Sequence, residues 1–167
     1  MIAFPKPRRR TAAVSVLLMA LTVPTAGASP AMRDTLSHEG AVAPVRSGSP
    51  TSTVDHVADF YGTYIDVLHD AGRGSLANSL RHHYLTPGLR KSLVRWETAH
   101  HRDGVLRAKG VPTAWKVTYQ DSGMGHCWTR VTLTWHDRHH RSHHSHLVVQ
   151  SDIATMDISG IRADTAK

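Results

Sequence analysis

The 167-residue chain has one cysteine, Cys127. That excludes an internal disulfide framework and any zinc module built on several thiolates. It has no apolar run long enough to span a bilayer with ordinary flanks. Its one extended apolar run, from Ala12 to Val23, is too short and ends at Pro24. No Lys/Arg cluster with interleaved aromatics occurs after the N-terminus, which argues against nucleic-acid binding. No internal repeat is visible. Hydrophobic residues make up 40% and charged residues 20%, a balance that suits a globular protein.

What is present begins with a basic stretch, Lys6, Arg8, Arg9 and Arg10, free of acids. The apolar run follows, and then the small residues Thr25-Ala26-Gly27-Ala28-Ser29, with an Ala-x-Ala pattern at Ala26 and Ala28. This order predicts a secretory signal peptide over 1–28 and an extracellular protein. No cysteine follows the run, so a lipoprotein anchor is excluded, and no transmembrane anchor is expected. The bulky apolar residue that usually follows a twin-arginine pair is missing, which favours ordinary secretion. The whole chain carries 20 Lys+Arg against 13 Asp+Glu. Four of the bases and none of the acids lie in the leader, so the remainder has a net charge of +3. The high isoelectric point is therefore no sign of a polyanion-binding protein.

From 29 to 52 the chain is rich in Ser, Pro, Ala and Gly, and it is expected to be a disordered tether. A single domain is expected over 53–163, with a short tail at 164–167. Ser52 with Asp55 makes an acidic variant of a capping box. Val54, Val57, Ala58, Tyr61, Tyr64, Ile65 and Leu68 recur at helical spacing until Gly72 and Gly74. A second helix is expected from Leu76 to Tyr84. Thr86-Pro87 opens a third, whose buried stripe is Leu89, Leu93 and Trp96. After Pro112 the period becomes two. Strands are expected around Trp115–Tyr119, Trp128–Trp135, Leu147–Gln150 and Ile153–Ile161, with a turn over Asp121–Gly125. The predicted fold class is α+β, with N-terminal helices on a curved antiparallel sheet of about four strands.

These elements carry a resemblance. Phe60-Tyr61-x-x-Tyr64, Tyr84-Leu85-Thr86-Pro87-x-Leu89, Pro112-x-x-Trp115-x-Val117, the long strand to Trp135 and Ile158-x-x-Ile161 occur in an order similar to that of the nuclear-transport-factor-2-like (SnoaL-like, cystatin-like cone) superfamily. In particular, the chain resembles small secreted bacterial members of unknown function. The match spans Val54 to Arg162. The resemblance implies a sheet curled into a cone around a pocket whose mouth is closed by helices. The family includes isomerases, cyclases and dehydratases as well as non-catalytic binding and interaction modules, so the fold does not choose between them.

An isomerase-type site needs a base and a proton donor in a dry pocket. The catalytic candidates are Tyr61, Tyr64, Asp103 and His126, although no family motif maps onto them residue by residue. The competing readings are structural: the tyrosines as core aromatics with satisfied hydroxyls, and Asp103, before Gly104, as a cap or turn residue. His126 and Cys127 are adjacent and should face opposite sides of a strand. Cys127 itself is expected to be a buried inert thiol, with an intermolecular disulfide or a reactive thiol as the alternative. The pocket-lining candidates are Tyr61, Tyr64, Trp96, Trp115 and Trp128.

Fourteen histidines are far above ordinary usage. Most distinctive is the run from His136 to His146, placed where two strands must reverse. Neutral imidazole suits zinc and copper, so His139, His140, His143, His144 and His146 are candidate metal ligands, with His144 and His146 on one face. Arg138 and Arg141 oppose a cation there. A solvated polar loop and a tip that gains charge below about pH 6.5 are the other readings. The sequence therefore favours a secreted non-enzymatic binding module. Its partner is expected to be a small apolar ligand in the cone, a protein on the open sheet face, or a second copy in a homodimer through the sheet. A cone-fold isomerase, cyclase or dehydratase and a transition-metal site on the His-rich hairpin are the alternatives.

Overall fold

The computed structural model describes residues 46–164. The expected signal peptide and the expected tether as far as residue 45, with the tail from residue 165, lie outside the described residues. Three helices, α1 (Thr53–Asp70), α2 (Ser75–Tyr84) and α3 (Pro87–His100), precede four strands, β1 (Ala114–Gly123), β2 (His126–His136), β3 (Ser142–Asp152) and β4 (Ile158–Ala163). The strands form one antiparallel meander in the order β1-β2-β3-β4. The α+β layout expected from the sequence is the one observed.

Helices α1 and α3 start where their side-chain caps lie. Ser52 Oγ accepts from the Asp55 amide at 3.2 Å, and Thr86 Oγ1 accepts from the Leu89 amide at 3.3 Å with Pro87 at the first helical position. The last residues of the expected tether are held against α1. Arg46 pairs with Asp59 at 2.7 Å and lies 4.9 Å over the Trp115 ring.

The core lies between α1 and the inner face of the sheet. Val57, Phe60, Tyr61, Tyr64, Ile65 and Leu68 of α1 are buried against Val131, Leu133, Leu147, Val149, Ile158 and Ile161. Burying each large side chain contributes about 1.5–3 kcal/mol. Gly62 is what lets α1 approach β1, because a Cβ there would stand 2.7 Å from Cζ2 of Trp115. The connection between α2 and α3 meets the start of β4. Leu85 bridges Ile158, and the Thr86 amide donates to the Ile158 carbonyl at 3.0 Å. That contact caps the start of the β4 edge at Ile158.

Three expected boundaries are corrected. β1 continues through a bulge between Tyr119 and Asp121 to Gly123, so the reversal is confined to Met124 and Gly125, both at positive φ. Residues 153–157 belong to a turn and not to the last strand, with the Ala154 and Thr155 amides held by Asp152 Oδ1 at 2.9 Å. β3 begins at Ser142, so His143, His144 and His146 stand on a strand and not in a hairpin tip.

Candidate functional site

Four polar side chains from separate elements meet behind the helices. Tyr64 on α1 donates its hydroxyl to Oδ2 of Asp103 at 2.8 Å. Arg81 on α2 donates to the Tyr64 oxygen from Nε at 2.9 Å and from Nη2 at 2.6 Å. The same guanidinium clasps Glu97 of α3 at 3.1 and 2.7 Å and reaches Asp103 Oδ2 at 3.1 Å. Oδ1 of Asp103 accepts from the Val105 and Leu106 amides at 2.8 and 2.9 Å. Glu97 Oε1 accepts from the Gly104 amide at 2.7 Å. Asp103 is 1% exposed.

Both oxygens of Asp103 are thus fully engaged, so no acceptor position is left to take a proton from a substrate. Its contacts with the amides two and three residues on form an Asx-type turn, the structural role that the neighbouring glycine suggests. Tyr61 is buried and donates to the Val105 carbonyl at 3.3 Å. Burial, then the Asp103 charge, drives both tyrosine hydroxyls well above their ordinary range, so they remain protonated donors. Burial opposes the charge on Arg81, but the hydrogen bond to Glu97 and the neighbouring negative groups outweigh it and hold the guanidinium above its ordinary value. Burial raises Glu97, while the Arg81 hydrogen bond and the Gly104 amide lower it, and the balance lies below the usual carboxylate range.

Of the catalytic candidates, the structure therefore brings Tyr64 and Asp103 into direct contact and sets Tyr61 beside them on the Val105 carbonyl. His126 stands elsewhere, at the start of β2 opposite Gly123 and Asp152, with its ring 6.0 Å from Trp128. Cys127 turns to the inner face, buried, and burial raises its thiol pKa. The expected pocket aromatics do not line one pocket. Tyr61 and Tyr64 are inside the core. Trp96 stacks on His100 at 4.2 Å and lies under Arg107. Trp115 borders a groove with Ile65, Asp66, His69 and Pro112. Trp128 lies on the outer face of the sheet beside Val148 and Gln150.

The candidate metal ligands are also divided. His143 faces the side of Trp135, stacked at 6.4 Å, while His144 and His146 face the other side. His139 and His140 are in the turn. Among the described residues no group of three or more His, Cys, Asp or Glu is placed to hold a metal ion.

Composition counts over the whole chain hide a separation of charge between the helices. α1 carries Asp55, Asp59, Asp66 and Asp70 and neither Lys nor Arg. α2 and α3 carry Arg81, Arg90, Lys91 and Arg95 and only Glu97, which Arg81 already neutralises. Among the described residues, Arg90, Lys91 and Arg95 pair with no carboxylate. They line a groove of about 490 Å³ with His82, Pro87 and Val94. Val94 is 59% exposed in its floor. A smaller cleft of about 90 Å³ shares His82, Arg90 and Val94 and runs inward to Leu93 and Arg81. Arg90 is steadied by the ring and carbonyl of His82. Charge tallied helix by helix would have found this face in the sequence.

A solved structure from Bacteroides thetaiotaomicron, described as a protein of unknown function, superposes with a TM-score of 0.50 at 19% identity. The alignment covers 66% of this chain and 88% of that one, and at such identity it shows a shared fold alone. No protein-family model and no curated protein matches the chain. Among the described residues no helix is long and apolar enough to cross a membrane.

Proposed function

We propose that the chain is a secreted, non-enzymatic binding module of the nuclear-transport-factor-2-like type, and that it engages an acidic segment of another protein through the α2–α3 face. The observation that carries this reading is the groove itself: Arg90, Lys91 and Arg95, without carboxylate partners among the described residues, flank the exposed Val94. Guanidinium and ammonium groups around an apolar strip fit a peptide in which carboxylates alternate with apolar side chains. The polar cluster behind the helices supports a non-catalytic role, because Asp103, Tyr64 and Arg81 spend their hydrogen-bonding capacity on one another. Export is supported by the basic start, the apolar run and the Ala-x-Ala pattern over 1–28.

The test is fluorescence anisotropy with a labelled Glu/Leu peptide and with its Lys/Leu counterpart. Saturable binding of the acidic peptide alone, weakened by salt, is the expected result. Equal binding of both peptides, or of neither, would overturn the reading. N-terminal sequencing of the exported product checks the leader and is expected to find cleavage after Ala28.

A further inference from the structure

The outer face of the sheet repeats one side-chain arrangement. His136 Nδ1 lies 3.0 Å from Thr113 Oγ1, His144 Nδ1 3.1 Å from Thr134 Oγ1, and His146 Nδ1 3.1 Å from Thr132 Oγ1. The register explains the last two, since β2 and β3 pair Thr134 with His144 and Thr132 with His146. Residues two apart on a strand share a face and stand roughly 6.5 Å apart along it. His144 and His146 are both exposed. With Nδ1 held against a hydroxyl, each ring has Nε2 as its remaining nitrogen. When Nδ1–H donates to the threonine oxygen, Nε2 keeps its lone pair. Outer partners orient and ready metal-binding histidines in the same way.

We infer that His144 and His146 form a two-imidazole site for a divalent transition ion on the outer face of β3, with Thr134 and Thr132 as the residues that orient them. The site is independent of the α2–α3 groove. Among the described residues no third ligand completes a closed set, so the remaining coordination positions belong to water or to an incoming ligand. Imidazole donors with open positions suit copper(II), nickel(II) and zinc(II), and copper(II) binds most tightly of the three. Lys116, which pairs with Thr132 on the neighbouring strand, and Arg130, engaged with Asp164 at 2.7 Å, are the nearby cations, and they limit affinity to the weak range of an exposed chelate. His143, on the opposite face, and the turn residues His139 and His140 take no part.

The experiment is titration of the untagged full chain with copper(II) chloride, followed by calorimetry and by the nitrogen hyperfine pattern in electron paramagnetic resonance. The expected signal has two equivalent imidazole nitrogens. His144→Gln and His146→Gln should each weaken binding by about tenfold or more, and the Thr132→Val/Thr134→Val pair should weaken it too. The His139→Gln/His140→Gln/His143→Gln variant should bind as the parent does. All substitutions fall at surface or turn positions, and circular dichroism confirms that each variant is folded. Binding that survives in His144→Gln/His146→Gln but is lost in the triple variant would overturn the proposal. So would a parent chain showing no two-nitrogen signal.

Discussion

The Tyr64 hydroxyl donates to Oδ2 of Asp103 at 2.8 Å across 39 positions of sequence, while Arg81 donates to the same hydroxyl oxygen at 2.6 Å. The tyrosine therefore links a half-buried cation to a buried anion and is consumed by both. Tyr64→Phe should cost about 1–3 kcal/mol, because Asp103 and Arg81 each lose a partner in a site that water cannot easily reach. Arg81→Met should cost more, about 3–5 kcal/mol, because it takes the counter-ion from Glu97 and leaves Asp103 with only the half-exposed Arg73 at 3.5 Å. Urea denaturation checks both values and their order. A Tyr64→Phe chain as stable as the parent would show that the network is not closed as described.

Two glycines should respond in opposite directions. Alanine in place of glycine favours a helix by up to about 1 kcal/mol. At Gly62 the added methyl would stand 2.7 Å from the Trp115 ring and 2.8 Å from the Arg46 guanidinium. Overpacking of that kind costs about 1–3 kcal/mol and should win, so Gly62→Ala destabilises. At Gly88, in the first turn of α3, none of the described residues lies within 4 Å of the added atom. Gly88→Ala should therefore stabilise by roughly 0.4–1 kcal/mol. Thermal melts of the two variants read the signs directly.

Acid should weaken the fold in two stages. Burial, and next the neighbouring His83, lower the pKa of His56 from 6.5. A histidine with a depressed native pKa contributes stability above 6.5, and that contribution is lost as the pH falls toward the native value. Glu97 is also depressed, from 4.5, so its contribution is present above 4.5 and is lost at lower pH. Melting temperature should start to fall just below pH 6.5 and fall again below pH 4.5. His56→Gln should remove the first stage and leave the second. A melting temperature that is flat between pH 6.5 and 5 in the parent would contradict the assignment to His56.

Local signals made most of the fold legible. Ser52 and Thr86-Pro87 mark their helix starts, and the stripe from Val57 to Leu68 marks the buried face of α1. The alternation of Val131 and Leu133 with Thr132 and Thr134 gives both faces of β2. The errors lie where a long-range partner decides. Nothing in His143-His144-Ser145-His146 looks like a strand, but β2 is long enough to pair with it to the end. Residues 153–157 look apolar enough for a strand, but Asp152 captures their amides and turns them. Tyr61, Tyr64 and Asp103 were recognisable as candidate site residues. Arg81 and Glu97 were not, because only the packing of α2 against α1 and α3 brings Arg81 to Tyr64 and to Glu97. The α2–α3 groove was missed because an overall charge balance cancels an acidic helix against basic ones.

The basic face should be separable from the fold. Arg90, Lys91 and Arg95 make no ion pair with a carboxylate among the described residues, so reversing their charge costs little stability. The Arg90→Glu/Lys91→Glu/Arg95→Glu variant should melt within a few degrees of the parent. Val94→Asp should likewise leave the fold intact, since that side chain is 59% exposed.

The most direct test of the account is the anisotropy titration of the Glu/Leu peptide against the parent chain and this charge-reversed variant. The account predicts saturable, salt-sensitive binding to the parent and its loss in the variant, which should gain affinity for the Lys/Leu peptide instead. Unchanged binding of the acidic peptide to a folded charge-reversed variant would contradict it.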